Sequence, residues 1–276
     1  MSKARVLFVS QALSPFLPES NIANISRYLP QAIHEKGKEI RIFMPRFGKI
    51  NERRHQLHEV IRLSGMNMVI NDSDHPLIIK VASIPSARIQ VYFIDNEEYF
   101  KRKSLLADDE GQSFSDNDER SIFFVRGVLE TVKKLGWSPD IIHCHGWMTA
   151  LLPAYVKKIY NKDPHFSSTK VVYSPYDDVF SGTLDTNVSR KLTMDGFKKD
   201  DVHLLEHPNH SNVIKMGVNY SDGVICGPEE LSDDVNAFIK SSARPVLRYS
   251  NPESCVSEVD QFFDAVLENK GALIEG

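Results

Sequence analysis

The stretch "DIIHCHGWMTALLPAY", residues 140–155, closes an apolar run with His143, Cys144 and His145, then turns through Gly146 into Trp147 and Met148. Imidazoles ligate metals, move protons and bond hydroxyl groups. Residues two apart in an extended strand share a face, so His143 and His145 point together and Cys144 opposes them. Two same-face imidazoles fall short of the three protein ligands of a catalytic zinc or the four of a structural one, and no nearby spacing supplies the rest. No metal site is assigned. With nothing local to lower its pKa, Cys144 reads as a buried strand residue. His145 stands at the carboxyl end of a strand just before a helix, the place where an open parallel sheet binds its ligands. A satisfied polar residue at a strand end is the alternative. Trp147 reads first as core and second as a platform for a ring.

These side chains need a sheet to hold them. "ARVLFVSQ" is a β-branched run of the buried-strand kind, followed by the loop "ALSPFLPES". From Asn21 the apolar positions Ile22, Ile25, Leu29 and Ile33 recur at helical spacing, with Ser20 or Asn21 as N-cap, Gly37 as terminator and a kink expected at Pro30. "KEIRIFMP" completes a strand, helix and strand unit, which in one sheet is parallel and right-handed. Residues 49–95 predict short antiparallel strands in "ERRHQLHEVIRLSG", "PLIIKVASI" and "IQVYFIDN". The polar segment 96–119 predicts a surface loop, mobile unless a ligand orders it. Helical spacing returns at Arg120–Leu135, where Asp116 and Arg120 predict an i, i+4 ion pair at the helix start. "PDIIHCH" then reads as a strand, "MTALLPAYVKKIY" as a helix, "KVVYSP" as a strand and "MGVNYSDGVIC" as a helix end and strand. Two further helices are expected from near Glu229 and Glu253. The fold class is therefore α/β: a single Rossmann-like, doubly wound, mostly parallel sheet with a short antiparallel insertion, spanning residues 1–276 as one domain.

Composition excludes several function classes. Of 276 residues, 41% are hydrophobic and 25% charged, and the net charge of −4 gives no electrostatic reason to expect a nucleic acid or an anionic membrane as partner. Three widely spaced cysteines, Cys144, Cys226 and Cys255, fit reduced thiols rather than a disulfide framework. The apolar stretch in "MSKARVLFVS" is short, lacks a following cleavage site and reads as a first strand, so a cytoplasmic location is expected.

Several ordered segments carry a resemblance: "KARVLFVSQALSPF", "LPQAIHEKGKEIRIFMPRFG", "DNEEYF", "DNDERSIFF", "LGWSPDIIHCHGWMTALLPAY" and "YSDGVICGPE". Together they resemble the N-terminal domain of bacterial glycogen synthases and plant starch synthases. These are GT-B retaining glucosyltransferases that elongate α-1,4-glucan from ADP-glucose. The resemblance implies sugar-facing roles for His145, Trp147, Asp116, Asn117 and Tyr176, and a glucan or nucleotide-sugar ligand. It implies no cofactor. Asp116, Asn117 and Arg120 match the family's Asp-Asn-x-x-Arg.

The chain departs from that pattern where charge matters. The family's Lys-Thr-Gly-Gly loop is replaced by Pro18, Glu19, Ser20 and Asn21, which removes the close backbone approach and the positive charge a diphosphate needs and adds a repelling carboxylate. His-Asp-Trp-His becomes His145, Gly146, Trp147 and Met148, and Ile-His-Asn becomes Pro175, Tyr176 and Asp177. The family's C-terminal nucleotide-sugar domain is expected to be absent. The resulting expectation is an acceptor-side half, degenerate and non-catalytic alone, with a carbohydrate-binding, scaffold or regulatory role and no catalytic residue of its own. The alternative is a glucosyltransferase completed by a separate nucleotide-binding chain or a second copy, which predicts an exposed apolar face along the former interdomain cleft. A third reading is a fold now serving an unrelated small molecule.

Overall fold

The computed structural model describes residues 3–84, 89–228, 230–249, 251 and 255–268. Ten strands lie among them: β1 (Arg5–Ser10), β2 (Glu39–Pro45), β3 (His58–Glu59), β4 (Met66–Ile70), β5 (Ser73–Ile84), β6 (Ile89–Asp95), β7 (Ile141–His145), β8 (Lys170–Ser174), β9 (Gly223–Cys226) and β10 (Val246–Arg248). They pair in the order β10-β9-β8-β7-β1-β2-β6-β5-β3, with β4 also on β5. Every pair from β10 to β6 is parallel, and the pairs made by β5 are antiparallel. Both faces of the central strands are buried, which is why β1 and β7 read as continuous apolar runs.

The helices are α1 (Asn21–Glu35), α2 (Glu52–His55), α3 (Glu97–Phe100), α4 (Asn117–Leu135), α5 (Leu152–Ala154, continued by a π-helical turn over Tyr155–Ile159), α6 (Val188–Met194), α7 (His210–Tyr220), α8 (Asp233–Ser241) and α9 (Val256–Leu267). The Ser20 hydroxyl caps α1 by accepting from the Ala23 amide at 3.1 Å, and the helix runs on through Pro30 as one element. The expected helix starts near Glu229 and Glu253 lie outside the described residues.

Two expectations need correction. "ERRHQLHEVIRLSG" is not a strand but α2, the two-residue β3 and a turn. Asn51 caps α2 through the Arg54 amide at 3.0 Å, while Arg46 and Lys80 both bond Glu52, so local capping overrides the strand pattern. "IQVYFIDN" forms β6, which belongs to the parallel sheet through β2 as well as pairing with β5.

The segment 96–119 is tied at three points by one arginine. Arg120, unexposed to solvent, donates from Nε to the Tyr99 carbonyl at 2.8 Å, from Nη2 to the Leu105 carbonyl at 2.7 Å and from Nη1 to Asn117 Oδ1 at 2.6 Å. Asp116 pairs with Arg102 through two bonds, 2.7 and 2.5 Å, so the ion pair expected between Asp116 and Arg120 is made by a different arginine. With three neutral acceptors in place, the Arg120 fork has no need of the carboxylate.

Helix α9 closes one face of the sheet. Phe263 meets the rings of Phe8 at 6.3 Å and His143 at 5.4 Å, and Lys38 ties the helix down through Asp260 at 2.6 Å and Asp264 at 3.0 Å. Phe263→Ala should lower stability by about 3–5 kcal/mol, the usual loss for a buried phenylalanine. The urea midpoint measures it, and a loss below about 1 kcal/mol would mean that α9 is not part of the cooperative core. No helix among the described residues is long and apolar enough to cross a membrane.

Candidate functional site

β1 and β7 are neighbours at the point where the strand order turns back on itself, with Ser10 in register with His145 at their carboxyl ends. Ligands of open α/β sheets bind outside such a switch point. Four chain segments converge there: the loops after β1, β7 and β8 and the start of α7.

His143 and His145 share a face, their ring centroids 3.9 Å apart. His143 Nε2 bonds Ser174 Oγ at 2.8 Å and His145 Nδ1 bonds Tyr176 Oη at 2.8 Å. Both rings pack against Phe8, and Phe263 closes over His143. Desolvation drives the His145 pKa down to about 3 and that of His143 well below its ordinary value, with the neighbouring imidazole adding to the latter. Both are therefore neutral at physiological pH, which suits hydrogen bonding rather than charge.

This has a measurable consequence. The unfolded chain protonates both imidazoles near pH 6.5 and the folded chain does not. Their contribution is therefore full above pH 6.5 and is lost as the pH falls, by about 2 kcal/mol for His145 at pH 5, with His143 acting in the same direction. Unfolding curves of wild type and His145→Asn between pH 7.5 and 5 should show the shallower dependence in the variant. Identical slopes would exclude a buried neutral His145.

Gly146 turns the chain with φ of +84°, a region that favours glycine. A Cβ here would lie 2.5 Å from Gln11 Oε1. The Gln11 carboxamide accepts from the Met148 amide at 3.0 Å and donates from Nε2 to Asp178 Oδ2 at 2.7 Å, while Asp178 also accepts from the Trp147 amide at 3.3 Å. Trp147 is fully buried, edge-on to Phe180 at 4.8 Å, and so takes the core role. Met148 is buried too, its carbonyl accepting from Ser121 Oγ.

Beside this knot opens a cavity of about 300 Å³ between the loop after β8, the start of α7 and the start of α8. Tyr176, Asp177, Asn209, His210, Ser211 and Ser232 supply its polar groups, and Phe180, Ile214 and Leu231 its apolar wall. No lysine or arginine lines it among the described residues. His210 Nε2 stands 3.5 Å from Asp178 Oδ1, which links the cavity to the Gln11 knot.

The structure thus brings His145, Tyr176, Trp147, Gly146 and Met148 together. Asp116 and Asn117 stand at the start of α4, where Asn117 donates to the Leu106 carbonyl at 2.8 Å and Asp116 pairs with Arg102. Sequence reasoning passed over Gln11, Asp178 and His210. The only available signal was position, since Gln11 directly follows β1 and Asp178 lies four residues beyond β8.

Residues 5–236 match the starch synthase catalytic domain. The chain belongs to that family. Glycogen synthase of Chlorobium limicola (strain DSM 245 / NBRC 103803 / 6330) is 44% identical over 189 residues, covering 68% of this chain and 39% of that protein. Glycogen synthase of Chlorobium phaeobacteroides (strain DSM 266 / SMG 266 / 2430) is 36% identical over 232 residues, covering 84% and 47%. The chain therefore spans less than half the length of these relatives. The catalytic domain of starch synthase IV from Arabidopsis thaliana, bound to ADP and acarbose, superposes with a TM-score of 0.74 at 16% identity over 91% of this chain and 52% of that one. The shared fold is the Rossmann-like half of a GT-B glycosyltransferase.

The loop between β1 and α1 carries no lysine or arginine. Pro18, Glu19, Ser20 and Asn21 are all exposed, and the Ser20 hydroxyl occupies the Ala23 amide that begins α1. A helix start attracts an anion through free N–H groups. Here one of them is taken internally, and the nearest side-chain charge in the loop is the Glu19 carboxylate.

Proposed function

We propose that this member of the starch synthase family binds a neutral α-glucan in the cavity beside the loop after β8, and that it does not transfer glucose from ADP-glucose alone. On this reading residues 1–276 act as one carbohydrate-binding, scaffold or regulatory domain. The observation that carries it is the charge of the site. A cavity lined by hydroxyls, an amide, an imidazole, a phenyl ring and the Asp177 carboxylate, with no lysine or arginine among the described residues, suits a sugar and offers nothing to a diphosphate. The self-capped start of α1 and the exposed Glu19 support the same conclusion. Transfer from a nucleotide sugar needs preorganised positive charge on the leaving diphosphate, and neither feature supplies it.

Completion by a partner chain is the less supported reading. Large exposed apolar residues among those described are Tyr28, Ile61, Val69, Val179 and Met194, and Val179 alone of these lines the cavity. That is a single side chain rather than a face.

Two measurements on the purified chain test the proposal: glucosyl transfer from ADP-glucose to maltooligosaccharide, and calorimetric binding of maltotriose. Expected are no transfer above background, binding of maltotriose, and a loss of about tenfold in affinity for His210→Ala, the worth of one buried hydrogen bond. Robust transfer, or absence of binding, would overturn it.

A further inference from the structure

We infer that the Gln11 side chain is a built-in occupant of the crevice at the switch point, confining carbohydrate to the outer cavity. The inference rests on the carbohydrate reading above for the identity of the ligand, and on geometry for the rest. Gln11 is 7% exposed and its carboxamide stands between the ends of β1, β7 and β8. It fills both roles that a bound hydroxyl would fill: an acceptor for the Met148 amide at 3.0 Å and a donor to Asp178 Oδ2 at 2.7 Å.

Gly146 is the other half of the arrangement. Any side chain at position 146 would start 2.5 Å from Gln11 Oε1, so the carboxamide holds its present place only while position 146 is glycine. The Gln11 carboxamide occupies the volume that a side chain at position 146 would enter. Asp178 links the crevice and the outer cavity through His210. One of its oxygens holds Gln11 Nε2, and the other faces His210 Nε2 at 3.5 Å on the cavity side. Removing the Gln11 amide leaves the Met148 amide without its acceptor and Asp178 Oδ2 with only the Trp147 amide as donor. A sugar hydroxyl has the complementary pair of functions and is the class of group that replaces it.

The test compares wild type, Gln11→Ala and Gln11→Met by hydrogen exchange with and without maltotriose. Methionine keeps the volume and loses both bonds, so it separates occupancy from bonding. In both variants exchange over 146–150 should rise at least tenfold without ligand. Maltotriose should then protect 146–150 in Gln11→Ala only, with affinity raised about tenfold, while in wild type and Gln11→Met it protects 176–182 and 209–214 alone. Protection of 146–150 by maltotriose in wild type, or equal behaviour of the alanine and methionine variants, would overturn the inference. Propionamide, which carries the missing carboxamide, provides the control. If it protects 146–150 in Gln11→Ala while maltotriose protects nothing in any protein, the occupant role stands and the carbohydrate reading falls. Should Gln11→Ala fail to fold, Gly146→Ala in the Gln11→Met background decides: the more flexible thioether yields to the Cβ, and the variant should be more stable than Gly146→Ala alone. Equal stability would count against the pairing of positions 11 and 146.

Discussion

Lys191→Met should cost about 3–5 kcal/mol of stability at pH 7.5 and clearly less at pH 5, because it strands a carboxylate that has no access to water. Lys191 is buried, with Nζ 2.7 Å from Asp118 Oδ2, 2.8 Å from Glu119 Oε1 and 2.9 Å from Asp185 Oδ2. Three carboxylates share one ammonium and hold its pKa above the ordinary lysine range, despite the opposing pull of burial. Asp118 is wholly unexposed, and desolvation pushes it up to about 6 even with Lys191 in place. Its folded pKa lies above the unfolded value near 3.9, so protonation between those two values favours the folded state. Without the ammonium that pKa rises further. Below it the variant can bury a neutral acid, and above it an unpaired charge.

The measurement is the difference in unfolding free energy between wild type and variant at the two pH values. An equal loss at both, or a loss below about 1 kcal/mol at pH 7.5, would refute the buried-charge account. The effect should reach the site. Lys191 pins α6 and Asp185 to the start of α4, and the adjoining chain pairs Leu184 with the Pro208 carbonyl and Thr183 with Asn209, directly before His210. Maltotriose affinity should therefore fall along with stability.

How much of this could be read from the sequence depended on range. The β1, α1 and β2 unit was legible because its signals are local: a β-branched run, four apolar residues at helical spacing, a serine cap and a terminating Gly37 with φ of +102°. The shared face of His143 and His145 was legible too, since a period of two needs no tertiary knowledge. What covers that face was not. It is set by Phe263 on α9, far along the chain, and by Tyr176 in the next loop. Gly146 could be recognised as a turn at the end of a strand. Its closeness to Gln11 could not, because only the parallel pairing of β1 with β7 brings the two together. Asp178 and His210 carried no motif at all.

The Asp-Asn-x-x-Arg match is the sharpest case, and Arg120→Ala is the variant that tests what it is for. The expected loss is roughly 3–5 kcal/mol, since the Tyr99 and Leu105 carbonyls and Asn117 Oδ1 would all lose their donor in the interior, at about 1–3 kcal/mol each. Burial lowers the Arg120 pKa to about 10, which leaves it charged at neutral pH. The guanidinium lies among the rings of Phe47, Phe100 and Phe114, 5.4 to 5.6 Å from their centroids. Arg120→Lys should rescue little, because one ammonium cannot reach three separated acceptors that a planar fork reaches at once. Hydrogen exchange over 99–106 should accelerate in both variants while β1 and β7 stay protected. A lysine variant with wild-type stability and protection would defeat this account. The same experiment separates two meanings of the motif. If Asp116 contacts sugar directly, Asp116→Ala weakens maltotriose binding without loosening 99–106. If it acts by holding Arg102, loosening appears first, and any loss of binding follows from it.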